Sequence, residues 1–367
     1  MKMLRLVPLF LLFLLLGSWW TVSAEGDPTQ AILQDVLSEA RDLSVPGFDF
    51  RDTTEKVLSG KLSFSFESVL KSLAELIFQE LQGHIGLLVK LIVLSVLAGV
   101  LCTLQQGEGA EGVSGISFLA CFASVAGIAV SLVTELCDTA VGAIDKMVLF
   151  VAALMPAMAS LSVTGMVSAD FYPGLFVAMQ GFVAICKNFL LPMIMITTAL
   201  SVVGALGGRF HITRLIEVMS LVVKWILGLS LTVFVGILGI HSTANTAAVG
   251  IAGRTMKYAL CNFVPLVGSV LAESAETVLA SVRAIRGAVG LVGCLGLVFL
   301  CCLPLVKILT CSLLFRFASG AAEPATDKRI VQLLSELSAN VTLIFSILLM
   351  VTVMFIISLA LLGRLTI

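Results

Sequence analysis

A chain of 367 residues with 59% hydrophobic and 12% charged residues, at a mean hydropathy of +1.11, carries more apolar surface than a soluble core of this size can bury. Lipid is therefore the solvent for most of it. The net charge of −1 balances 22 Lys and Arg against 23 Asp and Glu, and with no basic cluster interleaved with aromatics nucleic-acid binding has no support, so no nucleic-acid partner is expected.

Residues 1–24 read as a secretory signal peptide. Lys2 and Arg5 form its positive end, Leu6–Leu16 its apolar run, and Val22-Ser23-Ala24 a small-residue cleavage site. An uncleaved anchor is the alternative, because Trp19 and Trp20 suit a membrane interface. Either way the next segment starts on the extracytoplasmic side.

Residues 25–84 form a polar juxtamembrane segment holding 16 charged residues, 11 of them acidic. Ile32, Val36, Leu37 and Leu43 predict a short amphipathic helix that Pro46-Gly47 ends. Phe64, Val69, Leu70, Leu73, Leu76, Ile77 and Leu81 recur at helical spacing and predict a second. That helix either lies on the membrane or leads into the first span.

The remainder, 85–367, is a multi-span membrane domain, so the fold class is all-α and polytopic. Apolar runs long enough to cross lie at Ile85–Leu104, Gly115–Val133, Met147–Thr164, Gly174–Leu206, Glu217–Ile240, Gly287–Phe317 and Val341–Leu362. About seven spans are expected. Gly174–Leu206, interrupted by Lys187-Asn188 and Pro192, and Gly287–Phe317, interrupted by Pro304 and Lys307, are too long for one simple crossing. Kinked, split or re-entrant helices are expected there. Basic residues divide too evenly between the loops to fix the orientation.

Small residues give the clearest physical signal. Gly287, Gly290, Gly293 and Gly296 fall every third residue, and Gly228, Thr232 and Gly236 every fourth. In lipid, close backbone approach drives helix association, so both sets are expected to pack helices within the chain or between protomers.

Charges inside spans come next, because a charge at bilayer depth costs several kcal/mol unless paired or solvated. Lys187 beside Asn188 is a candidate conduit or coupling residue. Lys224 beside Trp225 suits snorkelling to an interface. No carboxylate lies at helical spacing from either Lys within its own span, which gives a proton relay no support. Gly250–Arg286 is the most polar part of the membrane domain. There Asn262, Pro265 and Gly268 interrupt an apolar segment, and Glu276 shares a helix face with Arg283, a pattern that suits a re-entrant loop or a coupling helix.

No phosphate-binding loop, His-Glu-x-x-His or Gly-x-Ser-x-Gly pattern occurs, so the protein is expected not to be an enzyme. The nine Cys are scattered and the three His isolated, so neither a metal nor a cofactor is expected.

Several ordered blocks then carry a resemblance. They are Lys224-Trp225-Ile226-Leu227-Gly228 running on through Gly236, then Gly250-Ile251-Ala252 followed by Arg254-Thr255 and Lys257-Tyr258-Ala259. Asn262-Phe263-Val264-Pro265-Leu266-Val267-Gly268 and Glu323-Pro324 follow. Together they resemble the stage III sporulation protein AE family, from about residue 85 to the C-terminus. The resemblance implies a membrane component of a secretion-like channel complex joining mother cell and forespore during endospore formation. It further implies a place in the outer forespore membrane. The implied partners are the other membrane proteins of the same operon, their ATPase, and a forespore-side channel protein. A self-contained secondary transporter, with a midplane site at the broken helices around Pro192 and Pro265, is the alternative.

Overall fold

The computed structural model describes residues 44–45, 48–49, 66–104, 113–163, 171–206, 213–263, 268–324 and 326–364. Side chains are described within 75–100, 116–156, 174–206, 214–239, 287 and 289–361, except residue 325. The signal peptide expected at 1–24 lies outside these residues. A two-residue antiparallel ladder pairs β1 (Ser44–Val45) with β2 (Phe48–Asp49), setting Ser44 opposite Asp49 and Val45 opposite Phe48. It flanks Pro46-Gly47, the position at which the sequence predicts a helix to end.

All other described structure is helical apart from residues 323, 324, 326 and 327. The order is α1 (Phe66–Leu104), α2 (Val113–Val163), α3 (Phe171–Ile185), a π-helical turn (Cys186–Leu190), α4 (Leu191–Leu206), α5 (Thr213–Phe263), α6 (Gly268–Ala322) and α7 (Lys328–Arg364). Because the π turn joins α3 to α4, these make six rods long and apolar enough to cross a bilayer among the described residues. The protein is a multi-pass membrane protein.

The count differs from the expected seven because Gly115–Val133 and Met147–Thr164 belong to one uninterrupted helix, α2. The intervening Thr134–Lys146 is polar but contains no Pro, and charge alone does not break a helix. A turn at bilayer depth would also strand backbone donors and acceptors in hydrocarbon. At 51 residues α2 is about 76 Å long, well beyond the ~30 Å hydrocarbon core.

The interruption expected around Lys187-Asn188 and Pro192 takes the form of the π turn. The Leu191 N–H donates to the Cys186 carbonyl, a five-residue step in place of the usual four. Pro192, next along, has no N–H to donate and its ring crowds the turn behind it. Widening that turn accommodates both defects without breaking the rod. Around Pro304 no such change occurs, and α6 runs straight through it. Asn262 lies in the last turn of α5 and Gly268 opens α6, so a helix break does fall in the predicted stretch. Pro265 lies outside the described residues.

Helix α7 is the centre of the bundle. It packs most extensively on α6 and also touches α2, α4 and α5. Of its most apolar window 61% is buried, against 22% for α1 and for α5, which are peripheral. Leu333, Leu337, Val341, Ile344, Leu348 and Val351 recur at three- and four-residue steps and are fully buried. They meet Leu136, Ile144 and Met147 of α2, Ile194 of α4, and Leu297, Ile308 and Phe315 of α6 in one continuous core.

Six single crossings put the C-terminal ends of α1 and α4 on one side of the membrane and those of α2 and α5 on the other. Single-cysteine labelling with a membrane-impermeant maleimide is expected to show that alternation. Equal reactivity of 105–112 and 164–170 from one side would show that α2 does not cross.

Candidate intramembrane polar site

Helix α2 brings three carboxylates, Glu135, Asp138 and Asp145, into the membrane domain. Two of them are paired across helices. Lys307 of α6 donates from Nζ to Glu135 Oε1 at 2.7 Å. Lys187, carried on the π turn, donates from Nζ to Asp145 Oδ1 at 2.5 Å. The π turn therefore does more than absorb Pro192, since it bears the side chain that reaches α2. On α1, Glu80 and His84 lie one turn apart with Oε2 and Nε2 separated by 3.6 Å.

The two cross-helix pairs stand ten residues apart on α2, about 15 Å along its axis. Beside the upper one, Leu87 of α1 with Gly127, Ile128, Ser131, Leu132 and Glu135 of α2 lines an open groove of ≈ 370 Å³. Its lining is mainly apolar, and it ends on a carboxylate already committed to Lys307.

A second set of polar groups is fully buried and joins α4, α6 and α7. Asn340 of α7 donates from Nδ2 to Thr198 Oγ1 at 3.2 Å and accepts from Thr197 Oγ1 at 3.4 Å. Ser312 of α6 and Thr342 of α7 share a 2.7 Å hydrogen bond, and Ser338 Oγ donates to the Ser312 carbonyl at 3.0 Å. Arg316 adds a bond from Nε to Ser338 Oγ at 3.2 Å. These residues tie the central helix to its neighbours by hydrogen bonds that hydrocarbon cannot compete for.

The predicted small-residue strips part company. Gly287, Gly290, Gly293 and Gly296 are all buried. A Cβ on Gly293 would lie 2.9 Å from Leu154 Cδ1 and 3.2 Å from Leu359 Cδ1, and one on Gly296 would lie 2.5 Å from Phe150 Cζ. Here α6 approaches α2 and α7 closely because it has no side chain to hold them off. Gly228, Thr232 and Gly236 face outward instead, and a Cβ on either glycine meets nothing within 4 Å. Thr232 bonds its own helix at the Gly228 carbonyl, 2.9 Å away.

Among the charged candidates, Lys187 joins Asp145 while neighbouring Asn188 points outward, and Lys224 is exposed on α5. Asn262, Glu276 and Arg283 lie in helical backbone, but their side chains fall outside the described residues. Sequence reading passed over Glu135, Asp145, Ser312, Ser338, Asn340 and Thr342. The signal was present for two of them, since Glu135 and Asp145 each stand at the end of an apolar run. Treating Thr134–Lys146 as a link between spans removed them from bilayer depth.

The family model described as stage III sporulation protein AE matches residues 48–365. The chain belongs to the stage III sporulation protein AE family. It is 27% identical over 340 residues to the stage III sporulation protein AE of Bacillus subtilis (strain 168), covering 92% of this chain and 85% of that protein. No solved structure matches. Membership and fold agree on a sporulation-family membrane protein.

Two outcomes follow for this family member. Replacing Gly296 by Ala is expected to cost about 1–3 kcal/mol by forcing Phe150 aside, whereas Gly228→Ala is expected to be neutral for the folded chain. Thermal unfolding in detergent measures both, and equal effects would contradict the packing described. Asp145→Asn is expected to lower stability by about 1 kcal/mol, and Lys187→Met in the same chain to recover most of the loss, since it removes the unpaired ammonium.

Proposed function

We propose that the protein is a non-enzymatic integral membrane component of a secretion-like channel complex linking mother cell and forespore, placed in the outer forespore membrane. The reading rests first on family membership across nearly the whole chain. The structural observation that supports it is the filling of the bundle. The space enclosed by Met179, Phe182 and Val183 of α3 with Val351, Met354 and Phe355 of α7 admits no water, and the larger groove at Glu135 opens on the outer surface. Among the described residues that contact is closed to solute, and a wall element or platform needs no opening there.

The partners in this reading are the other stage III operon membrane proteins, their ATPase and a forespore-side channel protein. A second reading, a self-contained transporter, draws on the π turn. A helix irregularity bearing a charged side chain at depth is how secondary transporters build substrate sites. Lys187 is already engaged by Asp145, which leaves that site without a free charge.

Purification of the tagged chain from sporulating cells in mild detergent, followed by mass spectrometry, separates the two. Co-recovery of the operon's other membrane proteins is expected. A partner-free protein that moves solute across liposomes by itself would overturn the channel reading in favour of the transporter.

A further inference from the structure

Four ionisable residues well inside spans, Lys90, Asp138, Lys146 and Lys224, remain without a partner among the described residues, and Asp138 is the one carboxylate among them. Of the three lysines, Lys224 matches Asp138 in height and in its neighbouring small residue. Lys224 is the eleventh residue of the 26-residue span Arg214–Gly239, about 15 Å from its start, and its side chain is exposed. Asp138 lies near the middle of the span Ile116–Pro156 and is likewise exposed. Each costs several kcal/mol in hydrocarbon if left alone. They sit on different sides of the bundle, because α5 packs on α4, α6 and α7 while α2 packs chiefly on α1, α6 and α7.

Their heights match. Gly293 faces both Leu154 and Leu359, and Thr352 bonds Met147 seven residues earlier on each helix, so α2 and α7 run parallel. Asn340, twelve residues before Thr352, is then level with Glu135, and Thr197 meets it. With Lys187 on Asp145, α4 climbs from the height of Asp145 to that of Glu135, antiparallel to α2. Helix α5 returns antiparallel to α3 and α4, with the Phe182 and Phe234 rings 6.4 Å apart. Ten residues before Phe234, Lys224 falls between the heights of Asp145 and Glu135. Asp138 occupies that same interval on α2.

The surroundings match as well. Helices α2 and α5 are parallel, and each charge is followed four residues later by a glycine, the exposed Gly228 after Lys224 and the half-buried Gly142 after Asp138. A Cβ on either glycine meets nothing within 4 Å. Copies related by rotation about the membrane normal keep α2 and α5 parallel. Bringing Lys224 of one copy onto Asp138 of the next then sets Gly228 against Gly142, where the backbones can approach closely.

We infer that the outward face of α5 at Lys224 and Gly228 docks on the outward face of α2 at Asp138 and Gly142 of a second copy of this chain. The contact joins two different surfaces, so it propagates from copy to copy and closes into a ring when the rotation permits. It concerns self-association of the purified chain and does not rest on the channel reading.

The test uses the full chain in two tagged forms, one carrying Gly228→Cys and the other Gly142→Cys, co-expressed and oxidised in native membranes. A disulfide-linked product bearing both tags, above the background from the native cysteines, is expected. Its absence would overturn the proposal, because both positions tolerate a side chain in the folded protein. As a second arm, Lys224→Asp is expected to weaken self-association about tenfold, read by native mass in mild detergent, and Asp138→Lys in the same chain to restore it. Unchanged association on Lys224→Asp, or loss without rescue, would assign the lysine to the lipid interface or to a carboxylate of another protein, and either result refutes docking on a second copy.

Discussion

A charge held in hydrocarbon must find a partner, and in this bundle that requirement sets where helices lie. Glu135 and Asp145 are both on α2, yet they reach to different neighbours, α6 through Lys307 and the α3–α4 rod through Lys187. Two contacts about 15 Å apart fix the height of two other rods against one helix. The apolar core could not do this by itself. Between lipid tails and leucine side chains there is little difference in solvation, so sliding one apolar helix past another changes little beyond packing. The π turn fits the same logic, because it carries Lys187 through a stretch that Pro192 would otherwise disrupt.

The centre of the bundle is held differently. Around α7 the buried polar groups are neutral, with Asn340 reaching α4 and the Ser312, Ser338 and Thr342 set reaching α6, and only the exposed Arg316 brings a charge to that set. Hydroxyl and amide groups are far less costly at depth than charges, and they suit a helix that touches almost every other one. The glycines of α6 complete the arrangement by letting it approach α2 and α7 to van der Waals contact. Charged pairs thus occupy the flank of the bundle and neutral hydrogen bonds its axis, in keeping with the steep rise of desolvation cost for ions.

What is left over points outward. Lys224, Gly228, Thr232 and Gly236 make an exposed ridge on α5 among the described residues, and Asp138, with the half-buried Gly142 one turn on, is exposed on α2. The proposed place in a channel complex draws on that outward surface.

Composition and hydropathy were enough to establish a polytopic helical protein, because the bilayer permits few other structures and demands long apolar runs. The glycine periodicity of Gly287–Gly296 and the irregularity at Pro192 were also legible, since each is a local property of one helix. The fate of Thr134–Lys146 was not. Its charges read as a link between two spans, and it became the middle of one helix because Lys187 and Lys307, distant in sequence, stand ready to pair with them. Nor did the sequence distinguish the glycines that face a neighbour from those that face outward, as steps of three and of four both keep small residues on one side of a helix. Periodicity reports which residues share a side of a helix, whereas the neighbour that side meets depends on how all the helices are arranged around α7.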